Sequence, residues 1–126
     1  MKQKILFVII LFALSIQIFP GELNLSLTNQ KLLTVNAKEF RSVCKQIFRY
    51  ECNRLDFTNN LTVNLVFTND QPKQVEVVLR GRAVPDSSKI YFYIDSSFAE
   101  TKLYAVFAHE LAHIIKIIGL ILLKEA

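Results

Sequence analysis

The stretch 61–67 sets the strongest limit on the fold, because Leu61, Val63, Leu65 and Phe67 occupy every second position. A period of two places all four on one face of a strand, so the chain needs a sheet with a covered side. Just upstream the period changes. Phe40, Val43, Cys44, Ile47 and Tyr50 recur at helical spacing, and Lys38, Arg41, Lys45 and Arg49 fall on the other side. Asn36 and Glu39 have the spacing of a capping box, which predicts an amphipathic helix of about 17 residues with its basic side turned out.

The remaining pattern fills in a small sheet. Leu23, Leu25 and Leu27 alternate with polar residues, 28–30 read as a turn, and 31–35 follow it, giving one or two short strands. Residues 56–60 break the helix, 68–72 form a turn, and 75–80 read as a second strand after 61–67. Residues 81–88, with Pro85 and Asp86, read as a loop. Residues 90–94 read as a third strand whose Tyr91 and Tyr93 face away from Ile90, Phe92 and Ile94. Ser97 with Glu100 then caps a last helix. The expected class is α+β, a small mixed β-sheet with a backing helix and a second helix at the C-terminal end.

Two segments stand apart from that domain. Residues 1–20 begin with Lys2 and Lys4 and continue as an apolar run, which reads as a signal peptide; an uncleaved anchor is the alternative. Residues 21–126 form the expected domain. Taking the leader away removes two lysines and no acid, so the net charge falls from +4 to +2, and the basic stripe of the first helix lacks interleaved aromatics. Neither feature calls for a nucleic-acid partner. Cys44 and Cys52 are the only thiols in a chain read as secreted or periplasmic. On one continuous helix they would lie about 12 Å apart, too far to bridge. Either the helix ends before Cys52 and the chain doubles back, or both thiols stay free.

Chemistry concentrates in the last helix, where His109, Glu110 and His113 spell HExxH and use both histidines of the chain. A four-residue step turns 400°, so the two imidazoles leave one face about 6 Å apart in height. That spacing suits two ligands of one zinc ion at about 2.0–2.1 Å. Glu110 lies about 100° further round, beside the metal, where its carboxylate can act as a base toward water. The plain alternative is a surface histidine pair that happens to flank a glutamate.

In motif and order of elements the chain resembles the N-terminal half of the zincin metallopeptidases over residues 31 to 118. The segment from Phe107 to Ile114, with His109, Glu110 and His113 among small and apolar residues, is what carries the likeness. The resemblance implies Zn2+ held by His109 and His113, Glu110 as general base, and a peptide or protein as substrate. It also implies that the strand 90–94 borders a cleft and receives an extended peptide by strand addition. The departure lies downstream: where one branch of that family continues with a glycine and a third histidine, this chain has Lys116 and Gly119. Glu125 is the last acid, about 18 Å beyond His113 on a straight helix, and Asp95 or a cysteine is the upstream candidate for a third ligand.

Lys116 sits within about 20° of His109 on such a helix, at the rim of the metal face. The tail 114–123 is apolar nearly all round, which makes it a candidate contact for a second subunit, a lipid surface or a missing C-terminal segment of a truncated enzyme. Two functions follow. One is an exported zinc-dependent metallopeptidase; the other is a non-catalytic secreted binding module with a vestigial or structural metal site.

Overall fold

A computed structural model describes residues 21–70, 80–95, 98 and 100–125. Their order is β1 (Leu23–Thr28), a 3-10 turn (Gln30–Leu32), α1 (Ala37–Leu55), β2 (Leu61–Thr68), β3 (Gly81–Val84), a second 3-10 turn (Pro85–Ser87), β4 (Lys89–Tyr93) and α2 (Glu100–Glu125). The sheet runs β1-β2-β4-β3. β1 and β4 pair in parallel with β2, and β3 pairs antiparallel with β4. The expected α+β class with a small mixed sheet is therefore present.

Local chemistry explains where α1 starts and stops. The Asn36 side chain accepts the backbone N–H groups of Lys38 at 2.9 Å and Glu39 at 3.1 Å, satisfying donors that the first turn leaves orphaned. At the other end Asp56 adopts a left-handed conformation, φ 53°, and its N–H closes onto the Cys52 carbonyl. Aspartate tolerates that region better than most residues, so the helix ends there. The turn returns the chain to β2, parallel to β1, with Leu23 opposite Leu61.

The inward face of the sheet meets both helices in one core. Val63, Leu65, Phe67, Ile90 and Phe92 are fully buried, and so are Phe40 and Cys44 of α1 and Phe107, Leu111 and Ile114 of α2. Phe40 is the common point: its ring packs edge-on to Phe67 and Phe92, with centroids 5.9 and 6.5 Å away, and stacks on Tyr104 at 5.8 Å. Each such side chain contributes about 1.5–3 kcal/mol through removal from water. Glu51, the buried charge among the described residues, is answered by Arg54, whose Nε and guanidinium nitrogen donate to one carboxylate oxygen at 3.1 and 2.6 Å.

Several expectations change. Residues 81–84 are strand β3 rather than loop, and among the described residues they form the sheet's edge. β4 lies between β2 and β3, so the strand expected at 90–94 is interior and offers no free edge to a peptide. The turn expected at 28–30 is present, with Asn29 left-handed at φ 61°, but it continues as a 3-10 turn over Gln30–Leu32 where a strand was expected from 31. Tyr50 is 65 % exposed and Phe48 takes the buried position: Phe40, Cys44, Phe48 and Cys52 advance by 40° per four-residue step, which leaves Tyr50 on the far side. α1 continues past Cys52, and both thiols are free. The expected leader 1–20, most of the strand placed at 75–80 and the Ser97 cap lie outside the described residues.

Candidate metal centre

α2 is one uninterrupted helix, and its two sides do different work. Leu103, Phe107, Leu111, Ile114 and Ile115 are buried against the sheet and α1. His109 and His113 lie on the solvent side, both exposed, and Glu110 stands between the two faces, half-buried. The apolar stripe thus fixes the rotation of the helix, and that rotation turns both imidazoles outward.

The two Nε2 atoms are 3.2 Å apart, and the rings stand perpendicular with centroids 4.7 Å apart. Bonds of about 2.0–2.1 Å from each nitrogen to a shared zinc ion would enclose an angle of about 100–106°, close to tetrahedral. The separation of the donor pair therefore matches two positions of one zinc ion. The same separation also lets one ring's N–H donate to the other.

Glu110 reaches across to the sheet edge. Its Oε2 accepts the Ala83 N–H at 2.8 Å. The register explains why that N–H is available: the Tyr93 N–H donates to the Arg80 carbonyl, so 80 and 93 are a hydrogen-bonded pair, and the main-chain groups of Gly81 and Ala83 point away from β4. Small side chains make the approach close enough. Gly81 and Ala83 share the face turned toward α2, and a Cβ on Gly81 would sit 2.3 Å from Val106 Cγ1 and 3.5 Å from Glu110 Cγ. Sequence reasoning missed both residues; the surrounding turn-formers masked a four-residue strand whose inward side chains are too small to show alternation.

Beside the histidines opens a recess of about 320 Å³, lined by Arg80, Gly81, Lys102, Val106, His109 and Glu110 among others. Arg80 holds Asp95 through both carboxylate oxygens, at 2.9 and 3.0 Å, and its guanidinium lies 5.7 Å from the centre of the Phe98 ring.

The upstream candidates for a third ligand do not join the pair. Among the described residues no group of three histidine, cysteine, aspartate or glutamate side chains is placed to hold a metal ion. Asp95 is engaged by Arg80. Cys44 and Cys52 are buried in α1, where burial pushes the thiols up to about 12 and about 11, the nearby Glu51 charge adding to the second. Protonated thiols are poor ligands. Glu125 stays on the same helix, which runs straight through Gly119 with no fold-back.

Comparison with models of known families, with curated proteins and with solved structures finds no match.

Proposed function

We propose that the chain is an exported zinc-dependent metallopeptidase of the HExxH kind, with His109 and His113 as metal ligands and Glu110 as general base. The observation that carries this reading is the 3.2 Å separation of the two Nε2 atoms on an exposed helix face, next to a half-buried carboxylate. The remaining protein ligand comes from outside the described residues, from a partner or from the substrate. Export is inferred from the basic and apolar leader 1–20.

Zinc, when bound, supplies a Lewis acid that polarises a carbonyl and raises the acidity of water. The chain's own contribution is proton handling and positioning. Glu110 is held at one oxygen by the Ala83 N–H and retains further acceptor sites on its carboxylate. It takes the proton of the attacking water and passes it to the leaving nitrogen, so that water is added across the C–N bond. An extended peptide is received along β3, the antiparallel edge, through the outward main-chain groups of Gly81 and the Ala83 carbonyl, the Ala83 N–H being held by Glu110.

The second reading, a non-catalytic secreted binding module, draws on the metal pair's lack of a third partner among the described residues and on the exposed aliphatic end of α2. Metal content and peptide hydrolysis by the purified full chain separate the two. The enzyme reading expects about one zinc per chain, loss of zinc in His113→Ala, and retained zinc with hydrolysis abolished in Glu110→Ala. A chain with neither zinc uptake nor turnover overturns it in favour of the binding module.

A further inference from the structure

Lys102, His109 and Lys116 stand seven residues apart on one continuous helix. Each step of seven turns 700°, so neighbours in this column are offset by about 20°, the two lysines by about 40°, and each step rises about 10.5 Å along the axis. Lysines thus bracket the imidazole pair, and no acid lies in the column. Ala105 and Val106 fill the interval between Lys102 and His109 and help line the recess.

The charges around that recess are unevenly committed. Arg80 is matched by Asp95, and Glu110 is held by Ala83 at the end nearer the histidines. Lys102 is exposed, and among the described residues no carboxylate lies within ion-pair distance of it. At this end the recess therefore presents an ammonium on a long, flexible stem, above a small apolar floor and beside a sheet edge with outward main-chain groups.

Resting on the peptidase reading above, we infer that this recess selects peptides bearing a carboxylate side chain, and that Lys102 is the residue that recognises it. A peptide extended alongside α2 rises about 3.3 Å per residue, so the 10.5 Å step from His109 to Lys102 corresponds to about three residues. The selected Asp or Glu lies about three positions from the bond held at the histidines. A solvent-exposed ion pair is weak and screened by salt, so the discrimination is several-fold and fades as ionic strength rises. Neutral side chains of the same shape fill the recess without that gain.

The test is direct binding of two labelled peptides to the full chain, with and without added zinc, followed by fluorescence anisotropy. Each peptide is an extended Ala/Ser nonamer; one carries a single Glu three residues from its centre and the other carries Gln there, with both sides of the centre sampled. The Glu peptide is expected to bind about three- to fivefold tighter at ~0.1 M salt and progressively less so at higher salt. Lys102→Gln is expected to remove the difference, and Lys102→Glu to favour a Lys-bearing twin. Equal affinities for Glu and Gln, absence of binding by either, or a preference that survives Lys102→Gln overturns the inference. A chain that hydrolyses both peptides at equal rates keeps the peptidase reading and loses this one. A chain that prefers the Glu peptide but neither takes up zinc nor hydrolyses it keeps the recess and loses the peptidase.

Discussion

The Glu110 carboxylate accepts the Ala83 N–H at 2.8 Å, which ties the HExxH helix to the outer edge of the sheet. An outward N–H on an edge strand would otherwise face water and exchange freely. Here a charged acceptor covers it, and bonds of that kind are worth about 1.5–3 kcal/mol. The Ala83 amide is therefore expected to exchange slowly in deuterated buffer, and Glu110→Ala to accelerate it by about tenfold or more. Fast Ala83 exchange in the unmodified chain would show that the tie does not persist in solution.

Gly81 is the second half of that junction. Its absent side chain leaves room for the stiff, branched Val106, whose Cγ1 would lie 2.3 Å from an added Cβ. Gly81→Ala is expected to cost about 1–3 kcal/mol, as overpacked sites do. Val106→Ala in the same chain should restore part of the loss. Urea denaturation of the single and double variants measures the coupling, and strictly additive effects would contradict the contact.

Buried thiols give the fold an alkaline limit. Burial holds Cys44 up to about 12 and Cys52 up to about 11, against about 8.5 for a thiol in an unfolded chain. The folded state keeps protons that the unfolded state releases. This contribution is therefore fully present below about pH 8.5 and is lost as pH rises through the folded values. The urea midpoint should fall between pH 8 and pH 10.5, and less so in Cys44→Ala compared with its own value at pH 8. At pH 8 a thiol reagent such as Ellman's should find both cysteines unreactive until the chain is unfolded.

Gly119 sits inside α2 with nothing within 4 Å of where a Cβ would stand. Alanine there meets no obstacle and restricts the unfolded chain, so Gly119→Ala should stabilise by about 0.4–1 kcal/mol. A fall in the thermal midpoint would mean that the helix is interrupted at this point.

Leu111 and Leu123 lie on the same helix with opposite expected outcomes. Leu111 is fully buried and Leu123 is 74 % exposed. Leu111→Ala should cost about 2–5 kcal/mol. Leu123→Ala should stay within about 0.5 kcal/mol. Comparable losses would place the outer end of α2 inside a packed interface.

Much of this architecture was legible because it depends on short-range periodicity. The alternation of Leu61, Val63, Leu65 and Phe67 appears unchanged as the buried face of β2, and Asn36 caps α1 as its spacing requires. The histidine pair was legible for the same reason: four residues on a helix fix where two side chains emerge. The edge strand was not. Gly81 and Ala83 are small because α2 lies over them, so the contact that makes β3 a strand also removes the apolar alternation by which strands are recognised. The Glu110–Ala83 bond joins positions 27 apart in sequence and follows from tertiary placement alone. Tyr50 and Phe48 show a finer limit, since the apolar stripe of α1 advances round the helix and only the packed sheet decides which aromatic falls inside it.

The unbroken course of α2 has a mechanical consequence. Its inner part is clamped by Leu103, Phe107, Leu111, Ile114 and Ile115, whereas Ile117, Leu120, Ile121, Leu122 and Leu123 project beyond the clamp. A rigid rod held at one end is a lever. Torque applied to the projecting arm is taken up first where Ile114 and Ile115 meet the core, one to two turns from Leu120, so any body that grips the arm pulls on that packing before it reaches the rest of the helix.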